Sequence, residues 1–428
     1  MNASPTGPGE ACDVLVIGGG PAGSTAAALL AGQGRDVVLV ERDAHPRFHI
    51  GESLLPRNLA IFDRLGVREA VDRIGVRKPG AEMISDATGK RVDFNFATGI
   101  DRSFTYSYQV RRSEFDELLF SHAAQQGVRA IEETRVLAVE RVGTDRVLSV
   151  VARRTDGTMR HFAPGFVLDA SGRDTFLATR RRLKQADKSN NTAAVYAHYR
   201  DVERRDGDMA GSISIHLVAD GWFWLIPLHD DITSVGFVGT QAAFRQRSGT
   251  PEALLHERID ASRTLHPRMT RASRVSEVMT AGNYSYRART SWGDGYMLIG
   301  DAFGFVDPVF SSGVMLAMMG GVLGAEVAHT WLDDRAAGKR LARRAERQMR
   351  GAMDRLGWLI YRINDPVMRH MLMTPNNRFR MREGVVSLLA GNFDNRAALR
   401  VSLLSFKSVY HMMSLAVRLG LPVPGTAG

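Results

Sequence analysis

One cysteine, Cys12, stands among 428 residues, so the chain can close no disulfide of its own and can build no thiolate metal cluster. At the entrance to an apolar run it reads as a small core residue. Uninterrupted apolar runs of the roughly 18–20 residues that a membrane span needs are missing as well, which predicts a soluble protein with no membrane partner. The first strand begins near Cys12, behind a short Pro/Gly/Ala leader with no basic start and no separate apolar stretch. Such a start predicts no signal peptide and a cytoplasmic location. Histidines such as His198, His216 and His229 show no ligand spacing with carboxylates, so no metal site is expected and each is read as structural or solvated. Internal repeats and low-complexity segments are absent, as is any nucleic-acid module with interleaved aromatic platforms.

What is present is an ordinary globular composition, 44% hydrophobic and 24% charged, enough to bury a sizeable core. The net charge of +10 is uneven, because residues 336–382 hold twelve Lys or Arg against three Asp or Glu. A solvated helical face is the commoner meaning of such a run; the alternative is a surface for an acidic partner, including an acyl carrier protein or the phosphates of its prosthetic arm.

A cofactor motif opens the chain. Val14–Ile17 is a short buried-strand run, followed by Gly18-Gly19-Gly20-Pro21-Ala22-Gly23 and a helix through Ala31. In this strand, turn and helix, Gly18 makes the tight turn, Gly20 lets a pyrophosphate approach the backbone and Gly23 permits close packing, with helix N-terminal amides facing the phosphates. A second strand, Asp36–Val40, ends in Glu41, placed to accept from ribose hydroxyls and to repel a 2′-phosphate, which favours FAD or NAD over NADP. Far along the chain Tyr296–Ile299 runs into Gly300-Asp301-Ala302, where a carboxylate at a strand end suits the ribityl hydroxyls of a flavin. That segment resembles the second FAD motif of aromatic hydroxylase-type flavoproteins. Val110-Arg111-Arg112-Ser113 and Asp169-Ala170-Ser171-Gly172 resemble further segments of the same superfamily. The resemblance implies that Arg112 contacts the dinucleotide and that the Val136 backbone meets the adenine.

Three more segments narrow the chemistry. Trp222-Phe223-Trp224-Leu225-Ile226-Pro227 places two tryptophans on one face of a strand, an aromatic wall or, more blandly, two core residues. Phe305 to Gly313 runs through Pro308, Ser311 and Ser312 into a helix from about Val314 to Trp331, whose unpaired N-terminal amides suit an anion beside Ser312 and Gly313. A plain serine cap is the alternative, and both can hold together. Gly51-Glu52-Ser53 leads through an amphipathic helix around Leu59 to Val71 into Val76-Arg77-Lys78-Pro79-Gly80-Ala81.

Together these motifs resemble those of the flavin-dependent halogenases, from Asp13 to about Arg400, and the phenol- and pyrrole-type members more than the tryptophan-type ones. In that family the lysine precedes Pro-Gly-Ala, which selects Lys78 over Arg77. The resemblance implies cofactor contacts from Gly18, Gly20, Gly23, Ser24, Glu41, Arg42, Ser53, Arg112, Val136 and Asp301. It also implies reduced FAD from a separate flavin reductase, a hydroperoxide formed with O2, and chloride or bromide held at Ser312 and Gly313. Hypohalous acid then passes to Lys78 and onward to an electron-rich phenol or pyrrole, free or tethered to a carrier protein, while Trp222 and Trp224 keep the ring from the oxidant. Phe310 stands where tryptophan-type members carry an acid. The expected fold is α/β, a Rossmann-type FAD-binding domain interleaved with a mixed antiparallel substrate-side sheet over Asp93–Met279, with Asp187–Thr192 a loop. Residues 1–335 form that module and 336–428 a helical region packed on it. A monooxygenase or reductase of the same fold without halide chemistry remains the alternative, and a flavoprotein working through its basic tail a more distant one.

Overall fold

The apolar runs that carry the cofactor motifs lie side by side in a computed structural model, which describes residues 9–142, 147–245, 249–306, 308–392 and 397–421. Strand Glu10–Ile17 pairs in parallel with Val37–Val40 on one side and Met159–Asp169 on the other. Tyr296–Leu298 runs parallel to Met159–Asp169. Ile17 sits opposite both Val40 and Asp169, and Asp169 opposite Leu298. All these strands therefore end at one edge, and the loops that follow them leave it together, where open parallel sheets bind their ligands. Alternation assigns the two faces. Val14 and Val16 pack with helices Pro21–Ala31, Arg112–Gln125 and Gly313–Asp333, while Leu15 and Ile17 face a second cluster that includes Trp222 and Trp224.

The substrate-side sheet is built differently from the sequence expectation. Its strands run in the order Gly304–Phe305, Met279–Ala288, Lys184–Arg200, Ile232–Thr240, Gly221–Pro227, Ile213–Val218, Gly80–Ser85 and Arg91–Asn95. It thus begins before Asp93, whereas Arg129–Ile131, Thr134–Val142, Val147–Arg154 and Met159–Asp169 belong to the flavin-side sheet. Which sheet a strand joins is decided by distant pairing, and nothing local in these runs records it. Asp187–Thr192 is likewise no loop: it lies inside strand Lys184–Arg200, whose pairing with Met279–Ala288 slips between Ala186 and Asn191. Ladder bonds come from the backbone, so a polar run can be recruited by a strong partner strand. The helix expected around Leu59 to Val71 is two, Asn58–Leu65 and Arg68–Ile74, parted by Gly66 at φ 72°.

Helix Gly313–Asp333 is the one helix among the described residues long and apolar enough to cross a membrane, and here it is an inner helix with most of that stretch buried. A Cβ at Gly321 would come within 2.5 Å of the Ala22 carbonyl oxygen, so the two helices touch backbone to backbone. The basic segment forms helix Arg335–Ile360, capped by Asp334, which accepts from the amides of Ala336 and Ala337. Ala342, Ala345, Met349, Met353 and Leu356 face inward while Arg340, Arg343, Arg344 and Arg347 face solvent, the helical period of a core helix with a charged outer side. Met368, Met371 and Met373 of helix Pro366–Met373 are buried in the same core.

Candidate active site

The common strand edge opens into a cleft of about 450 Å³. Its first wall is the glycine turn. Gly18 is held at φ 102°, and a Cβ at Gly23 would stand 1.9 Å from the Gly18 carbonyl oxygen, so this turn closes only with glycine there. At Gly20 an added Cβ would meet nothing nearer than Arg47 Nη2 at 3.7 Å, which leaves its face open to the cleft. Ser24 Oγ donates to the Gly19 carbonyl (3.0 Å) and Glu41 Oε2 accepts from the Gly19 amide (2.7 Å), so both side chains brace the turn. Gly23→Val is expected to yield protein purified without flavin, checked by its visible absorbance; a yellow Gly23→Val protein would show that the turn relaxes.

Further along the cleft the motif residues gather from distant segments. Gly18, Gly20, Glu41, Arg42, Ser53, Arg112, Val136 and Asp301 line it. Val136 precedes a register slip in the pairing of Thr134–Val142 with Val147–Arg154. Arg42 is exposed and pairs with Asp43 and Asp174. Arg112 is clasped by Asp116 through Nε (2.8 Å) and Nη2 (2.9 Å) and donates from Nη1 to the Ile50 carbonyl (2.8 Å), so most of its fork is spent inside the protein. Burial pushes the Asp301 carboxyl up to about 6, against the pull of Arg173 and Arg112.

At the start of Gly313–Asp333 the serine cap considered from the sequence is not made. The Ser312 side chain forms no cap bond, and its buried hydroxyl has no partner among the described residues. Ser311, which with Gly313 lines the cleft, is held at φ 58°, a backbone strain of about 1–3 kcal/mol for a non-glycine residue. Arg47 Nε, beside the glycine turn, is also buried without a partner among the described residues. A bare helix N-terminus, an orphan hydroxyl, an orphan guanidinium nitrogen and an open glycine face fit a cofactor with a pyrophosphate and a polar ring edge.

Lys78 lies just behind this cleft. It ends strand Gly75–Lys78, where alternation turns Lys78 inward, 1% exposed, and leaves Arg77 outside over the Tyr106 ring at 4.1 Å. Nζ donates to Ser53 Oγ (2.7 Å) and to the Leu54 carbonyl (2.9 Å) and stands 5.4 Å from the Phe96 ring centre. Burial lowers its pKa to about 7. Trp222 and Trp224 share the cleft-facing side of the central strand Gly221–Pro227, with ring centres 6.0 Å apart. Trp224 lies across Gly236, and its Nε1 donates to Ser234 Oγ (3.1 Å). Gly23, Ser24, Lys78 and Ser312 are thus one layer back from the cleft surface, and Asp307 of the serine motif lies outside the described residues.

Two polar pairings here have no sequence motif to announce them. Arg47 pairs with Glu41 (3.2 Å), and Glu52 accepts from His198 Nε2 at 2.9 and 3.2 Å. Glu52 sits inside a recognisable motif, but its partner is 146 residues away, a separation no local pattern reports.

The FAD binding domain family matches residues 11–348. The tryptophan 2-halogenase of Chondromyces crocatus is 37% identical across 73% of this chain and 60% of its own length. The 1H-pyrrole-2-carbonyl-(peptidyl-carrier protein) chlorinase of Pseudomonas fluorescens is 31% identical across 72% of this chain and 73% of its own. The chain therefore spans only about three fifths of the first of these relatives. The solved structure of the myxobacterial chondrochloren halogenase, an FAD-dependent halogenase, superposes with a TM-score of 0.78 at 31% identity, covering 94% of this chain and 96% of that one. By its FAD-binding domain and by these relatives, the chain belongs to the flavin-dependent halogenases.

Proposed function

We propose that this chain halogenates an electron-rich phenol or pyrrole, free or tethered to a carrier protein, using FADH2 from a separate flavin reductase, O2, and chloride or bromide. The observation that carries the reading is the buried amine of Lys78, bonded to Ser53, which itself lines the cleft. With its pKa lowered to about 7, much of Lys78 is neutral near neutral pH, able to hold hypohalous acid by hydrogen bond or to become a haloamine. An arginine would stay charged and unreactive there.

When bound, the reduced flavin supplies the electrons that turn oxygen into an oxidant for halide. The chain's own residues do the rest. Gly18, Gly20 and Gly23 shape a turn whose amides can hold a pyrophosphate, with Ser24 and Glu41 bracing it, and Asp301 stands ready for ribityl hydroxyls. Arg42, Ser53, Arg112 and Val136 complete the cofactor wall. The Ser312 hydroxyl, without a partner among the described residues, and the Gly313 amide offer a halide two donors at the positive end of a long helix. Trp222 and Trp224 exclude the organic ring from that end. Phe310 is buried and apolar and offers no carboxylate to a free amine, which supports a phenol or pyrrole. On this reading residues 1–335 are the catalytic module and 336–428 a helical layer upon it.

The test supplies FADH2, O2 and either halide with phenol and carrier-loaded pyrrole side by side, and reads products by mass spectrometry. A chlorine or bromine isotope pattern that needs the halide is expected. Oxygen insertion or double-bond reduction indifferent to halide would replace this reading with a monooxygenase or reductase.

A further inference from the structure

Replacing a ring hydrogen by halogen leaves a proton to be removed, and the cleft holds a carboxylate placed to take it. Strand register sets Tyr196 opposite Gly236, and Gly236 opposite Trp224, so Tyr196 and, two residues on, His198 lie on the face that carries Trp222 and Trp224. Tyr196 and Trp224 are in ring contact at 5.7 Å. Into this aromatic wall comes Glu52, which lines the cleft yet is 3% exposed, its two oxygens 2.9 and 3.2 Å from His198 Nε2. The next residue, Ser53, accepts from Lys78. Two consecutive residues thus serve the proposed halogen donor and the aromatic wall.

The other cleft carboxylates are engaged elsewhere. Glu41 holds the Gly19 amide, Asp116 clasps Arg112, Asp43 and Asp174 pair with Arg42, and Asp301 sits at the flavin strand end. Resting on the halogenase reading, we propose that Glu52 is the base that removes the ring proton, with His198 a positioning residue that holds the carboxylate against the aromatic wall. The ring's π electrons form the carbon–halogen bond as the oxygen–halogen or nitrogen–halogen bond breaks. The C–H bond then breaks, its electron pair restores the ring, and the proton passes to Glu52. From Glu52 it goes to the hydroxide left when an oxygen–halogen bond breaks, or to the Lys78 nitrogen when a nitrogen–halogen bond breaks, water then having left as the haloamine formed. Either way hypohalous acid and arene become haloarene and water. His198 Nε2–H stays bonded to the carboxylate throughout, keeping one oxygen turned to the ring.

Glu52→Gln keeps the size and removes the base. In single turnovers of the FADH2-loaded enzyme mixed with O2 and bromide, timed separately for phenol and ring-deuterated phenol, the parent should show no isotope discrimination. Glu52→Gln should be about 100-fold slower and should favour the protiated ring, because proton loss has become limiting. Glu52→Asp should restore indifference to deuterium, His198→Ala should show partial discrimination, and flavin fluorescence titration should give parental FAD affinity in each. A Glu52→Gln enzyme at parental rate, or slow without isotope discrimination, overturns the assignment, as does one that no longer binds FAD. A parent that halogenates no ring at all removes the halogenase reading and this one with it, which separates the two failures.

Discussion

Lys78→Met will bind FAD as tightly as the parent and halogenate no ring. The side chain is 1% exposed and one layer behind the cleft, so its loss leaves the cofactor wall intact. Methionine fills similar space but offers neither a donor nor a nucleophile, and a loss of at least about a thousandfold is expected from removing such a group. The same substitution has a thermodynamic signature. Burial lowers the Lys78 pKa from 10.5 to about 7, so between those values the folded chain binds fewer protons than the unfolded one. Stability must then rise with pH across that window, by about 1.4 kcal/mol per pH unit, and the gain is lost as pH falls towards 7. A thioether in place of the amine cannot titrate. Urea unfolding at about pH 7 and about pH 9 should therefore show the parent gaining about 2–3 kcal/mol on Lys78→Met between the two. Equal gaps at both would mean that the amine is solvated, and the proposed neutral relay would fail. The parent's halogenation rate should climb through pH about 7 for the same reason.

The flavin half of this architecture is legible in the sequence because its constraints are local. A turn that closes only with glycine, between a short apolar strand and a helix, is written in six consecutive residues, and Gly18 and Gly23 meet as that pattern requires. Lys78 against Arg77 is a matter of register, and a strand turns one of two neighbours inward and the other out. Pairings across the chain are not legible. Nothing near Arg129–Asp169 records which sheet its strands join, and the polar run at Asp187–Thr192 carries no alternation to show that its backbone enters a ladder. Arg112 lines the cleft as its motif implies, but its clasp by Asp116, one helical turn on, spends most of its donors. Ser312 gives the opposite lesson: a serine before a helix is usually its cap, and only the folded chain reveals that this hydroxyl makes no cap bond and has no partner among the described residues.

Trp224→Ala will keep FAD and lose ring halogenation by about 100-fold or more, because the substrate wall loses its fixed shape and a small misplacement of reacting atoms carries a cost of that order. The tryptophan is held from three sides: it crosses Gly236, where even a methyl group would come within 2.2 Å of its ring, donates to Ser234 Oγ, and leans on Trp222 and Tyr196. Its truncation leaves a cavity and an abandoned hydroxyl partner, a destabilisation of about 3–5 kcal/mol. Trp224→Phe retains a ring over Gly236 and should lose much less of both. Thermal unfolding, flavin fluorescence and product yield, measured on the two variants together, separate a wall from a pillar. If Trp224 is a wall, Trp224→Ala remains folded and flavin-bound near room temperature while oxidant escapes as free hypohalous acid or peroxide, detectable by a dye outside the protein. If flavin binding falls in step with product in both variants, the tryptophan's work is to hold the core, and some other surface must keep the aromatic ring from the oxidant.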